Sequence, residues 1–144
     1  MASLCSRKEY CEKEIRDKIK QYGIDGSAEE EIMNSLKKSG FIDNRRYAAA
    51  YAKDKFSFNN WGRIKISAML SSKGIPEEIT RDALKEIPED EYTEHCARVI
   101  FSKMKTAPQL LDGYEGRSRL IKYAANKGFE YETIEKAIKR ITIE

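Results

Sequence analysis

Apolar residues in this chain recur every third or fourth position with polar residues between them, the period of helices buried along one side. Cys11, Ile15, Ile19 and Tyr22 mark a first apolar face, opened by the capping-box pattern Ser6-Arg7-Lys8-Glu9 and closed at Gly23. A second box, Ser27-Ala28-Glu29-Glu30, opens a helix with Ile32, Met33 and Leu36 inside and Gly40 after it. Asp43, behind Phe41 and Ile42, caps a helix whose stripe is Tyr47, Ala48, Tyr51 and Ala52. A polar break at Asn59 and Asn60 follows. The next helix turns Ile66, Met69 and Leu70 inward and stops at Lys73-Gly74. Pro76 takes the first position of a helix carrying Ile79, Ala83 and Leu84, which Pro88 closes. A longer helix runs from Glu89 to about Lys105 with Cys96, Val99, Ile100 and Met104 as core. The stretch from Thr106 to Gly116 reads as a loop, Gly116 to Lys127 as helix. A last helix follows through Ile134, Ala137, Ile138 and Ile141. The pattern predicts about eight helices and no strand, because Thr142-Ile143 alone is too short to argue for one.

These helices repeat. Gly23, Gly74 and Gly128 each end one, at separations of 51 and 54 residues. Eight residues before them stand Ile15, Ile66 and Leu120, and four before stand Ile19, Leu70 and Ala124. Ile24, Ile75 and Phe129 follow directly, and each leads to a helix with an apolar pair four apart: Ile32 and Leu36, Ile79 and Ala83, Ile134 and Ile138. A fixed period of this kind is the mark of stacked helical units. The expected fold is all-α, an elongated tandem array of three-helix, helix-turn-helix-like repeats. Its divisions fall at 1–40 (two helices, the first helix of the unit lacking), 41–87 and 88–144.

Charge adds a second pattern. The net charge is only +3, yet residues 41–75 sum to +5, residues 76–95 to −6 and residues 96–128 to +5. Lysines and arginines spaced along an extended array suit a polyanion, since they release counterions from phosphate, although solvated helix faces carry charge too. The three cysteines lack metal-site spacing and fit reduced thiols of the cytoplasm, and no apolar run is long enough to span a membrane. His95, the single histidine, stands beside Cys96 without a third group to complete a nucleophilic site. No glycine-rich phosphate loop exists, and Glu77-Glu78 and Glu89-Asp90 suit the first turns of helices. The reading is of a protein that is not an enzyme, with no catalytic residues, metal or cofactor.

The segment F-I-D-N-x-R-Y-A-x-x-Y followed by W-G-x-x-x-I-x-x-x-L-x-x-K-G-I resembles the central repeat of the RecX family, bacterial regulators of the RecA recombinase. S-R-K-E-Y-C-x-x-E-I-R-x-K-I resembles the end of its first repeat and R-L-I-K-Y-A-A-N-K-G-F its third, so the likeness runs over residues 4 to 141. The resemblance implies a tandem of three-helix repeats that binds the RecA–DNA filament in its groove and restrains its ATPase and strand exchange, with direct contact to DNA in some members. Such proteins usually carry another helix ahead of S-R-x-E-Y, whose lack is expected to leave apolar surface near Ile15 and Ile19 exposed.

Ten basic residues are the candidate surface for the filament or its single- or double-stranded DNA. They are Arg45, Arg46 and Lys53, opposite Tyr47 and Tyr51; Arg63, Lys65 and Lys73 of the next helix; and Arg117, Arg119, Lys122 and Lys127 in the third unit. Trp61, at a helix start, suits either a base-stacking contact or a core or hinge aromatic. A soluble cytoplasmic monomer that regulates the filament is expected; a helical DNA-binding module with no dedicated protein partner is the alternative.

Overall fold

The computed structural model describes residues 10–106 and 113–143. Its eight helices among the described residues are α1 (Glu12–Gln21), α2 (Gly26–Lys38), α3 (Asn44–Ser57), α4 (Arg63–Ser72), α5 (Glu77–Lys85), α6 (Glu89–Thr106), α7 (Gly113–Asn126) and α8 (Tyr131–Ile143). Packing sorts them into three groups. Helix α1 lies on α2, while α3, α4 and α5 pack together and α6, α7 and α8 do the same.

The repeated glycines share one hydrogen-bond pattern. Gly74 N–H donates to Ser71 O (3.0 Å) and Ile75 N–H to Leu70 O (3.1 Å), the paired bonds that close a helix through a left-handed residue. Gly128 N–H donates likewise to Ala125 O (2.9 Å) and Phe129 N–H to Ala124 O (3.2 Å). The apolar positions four before and one after each glycine are therefore the two ends of one bond. Gly40 makes the same motif with Lys37 O and Phe41 with Leu36 O, so the cap alone does not define the repeat.

What the repeat adds is where the cap docks. The loop Lys127-Gly128 lies against the start of α4. Gly62 N–H donates to Lys127 O (2.8 Å) and Ile64 N–H to Gly128 O (2.9 Å). Gly62 has φ −85°, open to any residue, so its need is space: a Cβ there would overlap the backbone of Gly128 and Phe129. Gly128 needs both space and conformation, with φ +99° and Lys65 Cβ 2.5 Å from where a Cβ would stand. Below this contact Tyr92 is wholly buried between Phe56 (centroids 5.7 Å apart) and Phe129 (5.4 Å). Its hydroxyl accepts from Arg63 N–H (2.8 Å) and donates to Glu130. The α3–α5 and α6–α8 groups consequently share one continuous core. The α1–α2 pair has its own core of Ile15, Ile19, Met33, Leu36 and Ile42.

The turn before Gly62 is also held. Asn60 adopts φ +61°, and its Oδ1 lies 2.9 Å from His95 Nε2. The imidazole rests on Phe56 (4.3 Å), and burial, aided by Arg98, lowers its pKa from the ordinary 6.5.

Several expectations change. Ile15 and Ile19 are fully buried, not exposed, because Met33, Leu36 and Ile42 cover them. Tyr22 is 69% exposed: it is the C-cap of α1, where the chain turns off the apolar face. Asp25, not Ser27, caps α2 by accepting from Ala28 N–H, since the helix starts two residues earlier than the box implies. Helix α5 starts at Glu77 with Pro76 as its cap. Met69 is 38% exposed, at the rim of a groove. Residues 113–116, assigned to a loop, form the first turn of α7, with Gly116 buried. The box at Ser6 and the rest of the expected loop, 107–112, fall outside the described residues.

Two predictions follow from this core. Gly62→Ala should lower unfolding free energy by about 1–3 kcal/mol, the cost of overpacking, read as a lower urea midpoint. Gly26→Ala, with nothing within 4 Å of its added Cβ, should leave that midpoint unchanged or raise it. Because the folded state holds His95 neutral, stability should be complete above the unfolded pKa of 6.5 and fall as pH drops below it. Urea midpoints between pH 7.5 and pH 5.5, as a convenient bracket about His95, should fall less in His95→Gln than in the parent.

Candidate functional site

The ten candidate cations divide into two kinds. Four are tied into the fold. Arg45 Nη1 pairs with Asp82 (2.8 Å) across α3 and α5, with Glu78 3.9 Å away. Arg46 Nη2 donates to Gly40 O (2.7 Å). Arg63 bridges Glu89 (3.0 Å) and Glu130 (2.7 Å) with its guanidinium 3.9 Å from the Tyr92 ring centroid. Lys73 pairs with Glu14 (3.4 Å) of the first unit. The other six, Lys53, Lys65, Arg117, Arg119, Lys122 and Lys127, have no carboxylate within ion-pair reach among the described residues. Lys53 lies on α3, Lys65 on α4, and Arg117, Arg119 and Lys122 along α7, with Lys127 just after it.

The acidic block between the two basic stretches accounts for two of the four tied cations, Arg45 and Arg63. Glu78, Asp82 and Glu89 meet Arg45 and Arg63, and Asp90 and Glu94 meet Arg140 on α8. Charges separated in sequence thus partly cancel in space. Arg63 donates a hydrogen bond to Glu89 and holds its carboxyl below the ordinary value. Arg45 does the same to Asp82.

A groove opens where the first unit meets the second. Glu14, Tyr47, Tyr51, Asp54, Lys55, Trp61, Met69 and Lys73 line a volume of about 620 Å³. Tyr51 and Trp61 meet edge to face at 6.4 Å. The Lys55 and Lys65 ammonium groups lie 5.0 and 4.5 Å from the Trp61 ring centroid. Lys55 escaped the sequence reading although it stands four residues after Tyr51, the helical spacing that places them side by side. Tyr92 and Glu130 were also missed. Their role depends on a joint between distant segments, which no local pattern displays.

His95 and Cys96 do not form a nucleophilic pair: the imidazole meets Asn60 and Phe56, while burial pushes the Cys96 thiol up to about 12. No group of metal-ligating side chains gathers among the described residues. No helix there is long and apolar enough to cross a membrane.

Residues 43–84 match the family model for the second three-helix domain of RecX, and residues 89–138 that for the third. The chain is 30% identical to the regulatory protein RecX of Caldanaerobacter subterraneus over 94% of its own length and 65% of the relative's. It is 28% identical to that of Chlorobaculum tepidum (89% and 77%) and 26% identical to that of Clostridium perfringens strain 13 (91% and 61%). The chain spans about three fifths of the length of the clostridial relatives. The crystal structure of RecX from Lactobacillus salivarius superimposes with a TM-score of 0.89 at 24% identity, covering 99% of this chain and 92% of that one. With two consecutive domains of one family matched in order and the same fold in a solved relative, this chain belongs to the RecX family.

Proposed function

We propose that the chain binds the RecA–DNA filament in its helical groove and lowers its ATPase and strand exchange, acting as a cytoplasmic monomer without catalysis. Its units are taken as 1–40, 41–87 and 88–144. Membership in a family whose relatives are named regulatory proteins supports the general role. The observation that carries the finer reading is that six of the ten candidate cations have no carboxylate within ion-pair reach among the described residues, on two units that share a core. A fold that pairs Arg45, Arg63, Lys73 and Arg140 internally, yet leaves the six candidate cations without a carboxylate in reach among the described residues, has charge to spare for an anionic surface. Binding bare DNA with no dedicated protein partner is the second reading, which the same cations favour.

DNA-stimulated ATP hydrolysis by the cognate RecA filament, titrated with this protein, tests the proposal. The parent chain is expected to lower hydrolysis. Lys53→Glu, Arg117→Glu, Arg119→Glu and Lys122→Glu together should raise the half-inhibiting concentration by about tenfold or more, at roughly 0.2–1 kcal/mol for each exposed charge contact. Arg45 and Arg63 are left intact, since their reversal would break the fold's own ion pairs. No change in hydrolysis, with retained binding to bare DNA that weakens steeply with salt, would replace the filament reading by the second.

A further inference from the structure

We propose that the groove beside Trp61 is a stacking subsite for one base of a single-stranded polynucleotide, with Lys55 and Lys65 receiving the adjoining phosphates. The proposal deepens the filament reading and rests on it only for biological setting.

The observations are local. Trp61 is partly exposed beside Tyr51, so two aromatic surfaces converge on a groove of about 620 Å³. That volume lies within the ordinary range for small-molecule pockets, about 300–1,000 Å³. Two ammonium groups lie over one indole, and among the described residues neither Lys55 nor Lys65 has a carboxylate in ion-pair reach. Lys55 also lies 5.4 Å from the Tyr51 centroid. Cations resting on aromatic faces keep their charge available to an arriving phosphate, and the vacated ring face then accepts a base.

The groove also discriminates among anions. Glu14 and Asp54 stand in its lining, so a carboxylate side chain entering there would meet like charge. A nucleobase is neutral and presents N–H donors that Asp54 can accept. The phosphates therefore belong at the lysines and the base in the groove. A second ring attended by two lysines lies beyond the Gly62–Lys127 hydrogen bond: Tyr123, with Lys103 at 5.0 Å and Lys127 at 5.9 Å. The two aromatic stations give a single strand a path across the joint, whereas the stacked bases of a duplex cannot reach Trp61.

Trp61 is the chain's one tryptophan and reports on itself. The full chain is titrated with deoxycytidine and ribocytidine oligomers of about 16 nucleotides, within single-strand site sizes. A duplex of equal length and polyglutamate run beside them. Saturable quenching by either single strand, with at least tenfold weaker response to the duplex and none to polyglutamate, supports the subsite, and the tighter oligomer names the source. Binding of labelled oligomer, read by anisotropy, should weaken about tenfold in Trp61→Ala and in Lys55→Glu with Lys65→Glu, yet stay within about threefold in Trp61→Phe. Urea midpoints check folding; should Trp61→Ala not fold, the phenylalanine and lysine variants carry the comparison. Equal quenching by polyglutamate overturns the proposal in favour of an acidic peptide. Absence of quenching, or unchanged affinity in the lysine variant, overturns it outright. If that happens while filament ATPase is still lowered, only the subsite falls; if quenching holds and the ATPase does not respond, only the filament reading falls.

Discussion

The contact between Gly62 and Gly128 sets the arrangement of the second and third units. Two backbone hydrogen bonds join the start of α4 to the loop after α7, at a separation that leaves no room for a side chain on either glycine. Everything nearby depends on that approach. Phe129 follows Gly128 into the core, Tyr92 fills the space between it and Phe56, and the tyrosine hydroxyl reaches both Arg63 N–H and Glu130 only because the two segments are so close. Burial, then the hydrogen bond to Glu130, keeps the phenol protonated well above neutral pH. Arg63 covers that ring and spends its charge on Glu89 and Glu130, which is why a cation at the edge of the joint serves the fold.

The first and second units meet by a variation on the same design. There Cys11 stands where Gly62 does, as the N-cap of its helix, and its thiol reaches Lys73 O at 3.7 Å. Lys13 Nζ donates to Ser72 O (2.9 Å), and Lys73 returns to Glu14. Side chains replace the backbone bonds of the other joint, the two cores stay separate, and the Tyr51–Trp61 groove opens at this looser meeting. A tight joint that fixes geometry and a loose one that leaves a groove are two outcomes of one repeated cap.

Much of this was legible in the sequence, for identifiable reasons. Helix faces follow from spacing, so Ile66, Leu70, Cys96, Ile100 and Ile134 are all fully buried as the pattern implies. The glycine period marks real caps, because Gly74 and Gly128 supply the left-handed turn that joins Leu70 to Ile75 and Ala124 to Phe129. Less legible was whatever depends on two distant segments. Nothing in Trp61-Gly62-Arg63 announces that the glycine is there for space, or that Arg63 meets Glu130. Tyr92 sits in an acidic stretch, and no local pattern there shows that it is the centre of the joint. Block charges misled in the same way, since Arg45 and Asp82 lie 37 residues apart and 2.8 Å across a helix pair.

The claim at the centre of this account is that the unpaired cations of α3, α4 and α7 serve a composite surface of protein and DNA. Co-sedimentation tests it directly, with this chain offered assembled RecA–DNA filaments, free RecA and bare single-stranded DNA at the same nucleotide concentration and physiological salt. The account predicts that the chain pellets with filaments in saturable amounts, remains in solution with free RecA and is held more weakly by bare DNA. Equal retention on bare DNA and on filaments would contradict it, because the protein component would then add nothing to the surface that is recognised.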